Sequence, residues 1–224
     1  MKLDYLDGTP YKIHQGKDMY HFNSDTEILG KYIRINERDT VLDVGTNNGA
    51  LLFYASLFNP KILVGIDIFE EVINIARDNL KMNNVEASLY TSKFQDFNHD
   101  KFSVIISNPP YFNSLNETNN KYLLAARHEN YLTLDELFSN ADRLLEKEGK
   151  LYLVYPYTKR FDVIKSADKY KFYLEETRIA YDHKGGNKKS MLFIFSRNNY
   201  GYTIINRVIY LDDRKTFTLW RSFL

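Results

Sequence analysis

The chain predicts an α/β fold, a mostly parallel sheet of seven strands with helices on both faces. Three observations lead there. Short apolar runs alternate with amphipathic stretches from Thr40 onward, and alternating βα units close into a parallel sheet flanked by helices. The first apolar run ends in a glycine-bearing turn, the usual junction of a strand with a following helix. Hydrophobic residues make up 44% of the 224 residues and aromatics 15%, enough to fill the core of one domain.

The elements follow in order. Thr40–Val44 reads as the first strand, residues 50–58 as a helix and Ile62–Ile66 as the second strand. Residues 70–83 carry Val72, Ile75, Ala76 and Leu80 on one helical face. A third strand spans 86–92, and a fourth, Phe102–Ile106, stops abruptly at Asn108-Pro109-Pro110. The stripe at 134, 137, 138, 141, 144 and 145 predicts a helix over 134–148, opened by a Thr133/Glu136 capping box and stopped by Gly149. Strand 150–155, a helix over 159–169, and strands near 172–181 and 190–196 joined through Gly185-Gly186 complete the pattern. Residues 112–130, with five asparagines, suit a loop over a site. A single domain spans 1–224, with an α/β core at 31–198, an N-terminal cofactor-side extension at 1–30 and a basic, aromatic C-terminal extension at 199–224.

Composition removes several function classes. With no cysteine there is no disulfide framework, Cys-bound zinc or cysteine nucleophile, and nothing favours an oxidising compartment. The five histidines share no ligand spacing, so no metal site is expected. No apolar run is long enough for a transmembrane helix, and Met1-Lys2-Leu3-Asp4-Tyr5 is too polar for a signal peptide, so a cytoplasmic protein, expected to be a monomer, is the default. The net charge of +1 is uneven. Lys184 to Leu224 holds eight basic residues against two acids, a local +6 that leaves −5 for the rest. Such a segment suits a polyanion such as RNA; an ordinary solvated face fits the charge equally well.

Two constellations carry chemistry. The first is Asp43-Val44-Gly45-Thr46-Asn47-Asn48-Gly49, spaced D-x-G-x-x-x-G. It lacks the G-x-G-x-x-G of nicotinamide sites and the Walker lysine of nucleoside-triphosphate sites. Asp67 closes the second strand 22 residues after Gly45, where a carboxylate accepts hydrogen bonds from both ribose hydroxyls. An N-cap for the helix at 70 is the other reading of Asp67. Strand, turn, helix, strand and acid together indicate an adenosine ligand. The second constellation is Asn108-Pro109-Pro110-Tyr111. An adenine N6 lone pair is delocalised into the ring, so two acceptors on its N–H groups, the Asn108 side-chain oxygen and the Pro109 carbonyl, free it for attack. Two prolines stiffen the backbone that aims this carbonyl, and Tyr111 offers a flat face to the base.

With these motifs the chain resembles the class I S-adenosylmethionine (SAM)-dependent amino-methyltransferases, and more closely the bacterial tRNA1(Val) adenine-37 N6-methyltransferases. The resemblance covers most of the chain. It includes Phe22-Asn23-Ser24-Asp25-Thr26-Glu27-Ile28-Leu29-Gly30, Ile105 to Phe112, Ala126-Arg127-His128-Glu129 and the aromatic end from Phe217 to Leu224. It implies a Rossmann-like class I methyltransferase fold, SAM as cofactor and tRNA as partner. By position it implies that Asp43, Gly45, Asn47 and Gly49 line the methionine part of SAM, with Asp25 and Thr26 near its carboxylate. Asp67 would hold the ribose and Ile68 pack on the adenine. Asn108, also bordering the cofactor, would hold the target base with Pro109, Pro110 and Tyr111.

Two departures stand out. After the third strand, where the family carries an acid for the cofactor's adenine amine, this chain has Lys93-Phe94; either Asp96 shifts into place or backbone at Phe94 does the reading. Asn47-Asn48 replaces the commoner Gly-Ser or Gly-Asn. Arg127, Lys184, Lys188 and Lys189 could grip RNA phosphates, or serve only as a surface ion pair and a solubilised hairpin. Other amines are alternative substrates: an rRNA or DNA base, or a protein glutamine. The glutamine enzymes usually carry a helical domain ahead of the cradle, where this chain has residues 1–30. A non-catalytic SAM- or RNA-binding module is the remaining alternative.

Overall fold

The computed structural model describes residues 2–16, 21–109, 132–199 and 205–211. A hairpin of β1 (Lys2–Tyr5) and β2 (Lys12–Gln15) precedes helix α1 (Ser24–Tyr32). The βα rhythm then runs through β3 (Thr40–Val44), α2 (Ala50–Ser56), β4 (Ile62–Asp67), α3 (Glu70–Met82), β5 (Ser88–Thr91) and β6 (Phe102–Ser107). It continues in α4 (Leu134–Leu144), β7 (Leu145–Pro156), a 3-10 turn (Tyr157–Lys159) and α5 (Arg160–Lys169). Strands β8 (Tyr173–Tyr181), β9 (Lys188–Ser196) and β10 (Ile205–Tyr210) complete it.

One sheet of order β10-β8-β9-β7-β6-β3-β4-β5 forms the centre, and β9 alone runs antiparallel to its neighbours. The mostly parallel, doubly covered sheet is the expected one, but among the described residues it has eight strands, not seven. The eighth is β10, inside the region expected to be an extension. Asn206 and Arg207 interrupt the apolar residues that would mark it in the sequence. As an edge strand it needs little burial: Val208 faces solvent while Ile209 is buried.

The inner strands are apolar on both faces, as a covered parallel sheet requires. Successive residues divide between two cores. Val104, Ile106, Tyr152 and Val154 pack under α1 and α2, while Ile105, Leu151, Leu153 and Tyr155 pack under α4 and α5. The Thr133/Glu136 capping box is present, with bonds of 3.1 and 2.8 Å. Helix α4 nevertheless ends at Leu144, not 148, because Leu145 already pairs with Phe102. Gly149 is not its stop signal. A side chain there would lie 2.7 Å from Leu145 and 2.9 Å from the Ser103 carbonyl, so the residue permits close strand approach.

The N-terminal segment expected to be an extension contains most of helix α1. Asn23 caps it, its Oδ1 accepting from the Asp25 and Thr26 N–H groups at 3.0 and 3.2 Å. α1 packs directly on α2, and a methyl group at Gly30 would overlap the Tyr54 ring. The Tyr54 hydroxyl is anchored by donating to the Asp7 carbonyl at 2.8 Å. Gly30→Ala is therefore expected to lower stability by about 1–3 kcal/mol, read by urea unfolding. An unchanged midpoint would show that Tyr54 can swing aside.

Candidate active site

The strand order reverses at β3, between β4 and β6, and this opens a crevice beyond the carboxyl ends of the strands. The turn from β3 to α2 lines it. Gly45 (φ +76°), Asn47 (φ +50°) and Gly49 (φ +87°) are all left-handed, which glycine adopts freely and asparagine tolerates. The Gly45 and Thr46 N–H groups both donate to the Ile66 carbonyl, at 3.0 and 2.9 Å, pinning the turn to β4. At Gly45 the space a side chain would occupy is open to 4 Å.

The structure removes one of the two readings of Asp67. It is not the cap of α3, whose N-cap is Phe69 with no side-chain bond. Its carboxylate instead ties two loops together, accepting from the Asn47 N–H at 3.1 Å and the Phe69 N–H at 3.2 Å. Desolvation raises its pKa to about 6, opposed by the backbone N–H groups of Phe69, Asn47 and Ile68. Ile68, next along, is half-buried.

Asp43 is fully buried, and neither carboxylate oxygen has a hydrogen-bond partner among the described residues. Desolvation pushes its pKa up to about 7; the Thr46 hydroxyl opposes this and the charge of Asp67 adds to it. The Thr46 hydroxyl, itself buried, lies near the carboxylate but makes no hydrogen bond of good geometry to it, and a buried carboxylate so poorly served is costly. Beside the crevice such a carboxylate could complement a cationic group, as the methionine ammonium of SAM would be. The open face at Gly45 and the spare acceptor capacity of Asp67 fit the rest of that cofactor.

Beside the turn, β6 ends in Ser107, whose hydroxyl donates to the Val44 carbonyl at 2.9 Å, and Asn108. The Asn108 Nδ2 donates to the Thr26 hydroxyl at 3.0 Å, whereas its Oδ1 is buried and unpartnered among the described residues. The direction of this bond is inherited from α1. Asn23 Oδ1 must be an oxygen because it accepts two backbone N–H groups. The Thr26 hydroxyl therefore donates to it, at 3.4 Å, and accepts from Asn108. The amide is thereby turned with its carbonyl oxygen away from Thr26. Asp25 and Thr26 are buried in the first turn of α1 and Pro109 is buried beside Asn108. Pro110, Tyr111 and Arg127 lie outside the described residues.

At the adenine position the Phe94 side chain is buried in the core under α4, and its carbonyl accepts from Arg143 at 3.3 Å. Asp96 is exposed. Lys184, Lys188 and Lys189 are exposed on the β8–β9 hairpin. Sequence reasoning missed the scaffold behind the cradle. Asn79, fully buried on α3, donates to the carbonyls of His14 and Asn48, both at 3.0 Å, and accepts from the His14 N–H at 2.7 Å. It clamps the hairpin to the turn. Asn23 could have been found from its cap position. Asn79 gave no signal, being a polar residue inside an amphipathic helix.

This fold and crevice define the class: a SAM-dependent methyltransferase. The methyltransferase small domain family matches residues 19–172. The tRNA1(Val) (adenine(37)-N6)-methyltransferase of Bacteroides thetaiotaomicron is 30% identical over 207 residues, covering 87% of each chain. The protein of the same name from Phocaeicola vulgatus is 26% identical over 87% of this chain and 85% of its own. Among solved structures, a methyltransferase from Pyrococcus furiosus superposes with a TM-score of 0.63 at 20% identity, covering 86% of this chain and 92% of that one, a likeness of fold. The chain belongs to the methyltransferase small domain family and, within it, to the tRNA1(Val) (adenine(37)-N6)-methyltransferases. Among the described residues no helix is long and apolar enough to cross a membrane.

Proposed function

We propose that the chain methylates the exocyclic N6 amine of an adenine in tRNA, position 37 of a valine tRNA, using SAM. The observation that supports this is the buried Asn108 Oδ1 at the end of β6, unpartnered among the described residues and turned away from Thr26 by the bond from its Nδ2. SAM supplies an electrophilic methyl group on its sulfonium. The chain supplies placement and dipoles. Asp43 takes the methionine ammonium; Gly45, Asn47 and Gly49 line the methionine part, with Asp25 and Thr26 toward its carboxylate. Asp67 takes the ribose hydroxyls and Ile68 packs on the adenine. The adenine edge falls to the Phe94 backbone, whose N–H can donate to a ring nitrogen while its carbonyl is held by Arg143, or to Asp96, which is exposed and can accept from the amine.

Asn108 Oδ1 and the Pro109 carbonyl accept the two N–H groups of the target amine, which favours a pyramidal nitrogen with an available lone pair. Pro110 stiffens that backbone and Tyr111 stacks the base, roles resting on sequence alone. Arg127, Lys184, Lys188 and Lys189 contact tRNA phosphates. The protein works as a cytoplasmic monomer.

The test incubates purified protein with labelled SAM and unmodified tRNA and digests the product. Label in N6-methyladenosine at position 37 of valine tRNA is expected. Label confined to rRNA, DNA or protein in a parallel panel, or none while a control enzyme labels the same tRNA, would overturn the reading.

A further inference from the structure

We propose that Tyr157, Arg160, Phe161 and Lys188 form a docking platform for an unpaired stretch of RNA flanking the target adenine. The proposal rests on the tRNA reading above and names the surface through which the substrate is held. The four residues meet where β7 leaves the sheet and β9 enters it. The Arg160 guanidinium lies 4.3 Å from the centre of the Tyr157 ring and 4.1 Å from that of Phe161. The Lys188 ammonium lies 4.7 Å from the Tyr157 ring centre and donates to its hydroxyl at 3.1 Å. That bond, with the charges of Arg160 and Lys188, holds the Tyr157 hydroxyl below the usual phenol range. Tyr181, 6.0 Å from Lys188, and Tyr210, 5.8 Å from Tyr181, extend the aromatic surface along β8 and β10.

Charge and exposure point to a nucleic acid. Among the described residues neither Arg160 nor Lys188 pairs with a carboxylate, whereas the neighbouring Lys159 has Asp162 at 3.8 Å. Phe161 stays 66% exposed although the Arg160 guanidinium stacks on it. Cations without carboxylate partners, stacked among partly exposed rings, match the two components of single-stranded RNA, phosphates and unstacked bases.

The position fits as well. β7 is the neighbour of β6, and Ser107 pairs with Leu153. Pro156 therefore projects about 10 Å beyond the level of Ser107 at the strand rise. Tyr157 thus overhangs the side of the crevice at which Asn108 begins. A segment lying on the platform would run toward that notch.

The test compares the parent with Phe161→Ala, Arg160→Ala and Lys188→Ala, using unmodified tRNA transcript. Binding is read by fluorescence anisotropy between 50 and 300 mM salt (about a sixfold range) and methylation under steady state, with SAM affinity as the check on folding. Each variant is expected to weaken tRNA binding and raise KM for tRNA about tenfold, with kcat and SAM affinity unchanged. Arg160→Ala and Lys188→Ala should each reduce the salt slope by about one, while Phe161→Ala should leave it unchanged. If the parent methylates tRNA and all three variants match it in affinity and slope, the platform is overturned and the methyltransferase reading stands. A parent that binds SAM but neither binds nor methylates tRNA overturns both.

Discussion

Asn108→Ala is expected to lower kcat for tRNA methylation at least 100-fold, about 3 kcal/mol, while SAM still binds. The loss should be one-sided if the amide oxygen acts, as proposed, on the acceptor amine more than on the donor. Thr26→Val tests how that oxygen is aimed. Valine keeps the volume but removes the hydroxyl that accepts from Asn108 Nδ2 at 3.0 Å. Without it the amide is free to rotate or flip, and the cost should be that of one neutral hydrogen bond, roughly 3- to 10-fold in kcat. In its effect on kcat at saturating SAM Thr26 acts through Asn108, so the two kcat losses should not add: in the Asn108→Ala background, Thr26→Val should change kcat little, and any loss of SAM affinity from its place near the cofactor carboxylate is read separately. Thr26→Ser should restore turnover. An equal loss from Thr26→Val in both backgrounds would show that Thr26 supports the site by another route.

Asp43→Asn is expected to weaken SAM binding by about 10- to 150-fold, the range for a hydrogen bond to a charged partner, read by calorimetry at pH 8. Its pH signature is more telling. The free-protein pKa of about 7 means that the carboxyl is largely protonated at pH 6. If an ammonium must meet an anion there, parental affinity should fall as pH drops below about 7 and level off above it. Proton release on binding should follow the ionisation enthalpy of the buffer, and the asparagine variant should show neither effect.

Stability should move the other way. The folded-state pKa lies above the ordinary carboxylate value, so the folded chain holds the proton more tightly than the unfolded one. Ionised Asp43 therefore destabilises the ligand-free fold above about pH 7, and the penalty fades as pH falls toward 4. Three pKa units correspond to about 4 kcal/mol, an upper bound on what Asp43→Asn should gain at pH 8. A variant no more stable than the parent at that pH would show that the carboxyl has a donor in solution.

The features read correctly from the chain are local ones. The Gly45 and Gly49 turn, with Asp67 at the next strand end, is legible because left-handed backbone and strand-end spacing are written in neighbouring residues. The α4 capping box is legible for the same reason. The helix end at Leu144 was not, since helical periodicity continues into Leu145 and only pairing with Phe102 across the sheet converts that residue to strand. β10 has no such local mark: Asn206 and Arg207 interrupt its apolar residues, and pairing with β8 defines it as a strand.

The amino-acid sequence by itself determined the class of fold, the cofactor crevice and the family, since each depends on residue types at short, fixed spacings. Tertiary structure alone decided that Thr26 orients Asn108 across 82 residues, that Asn79 clamps the N-terminal hairpin to the cradle, and that Arg160 and Lys188 converge on Tyr157. Hydrogen bonds and ring contacts of this kind join side chains that the sheet order brings together, and sheet order is set by the packing of the whole chain, with no counterpart in any local pattern.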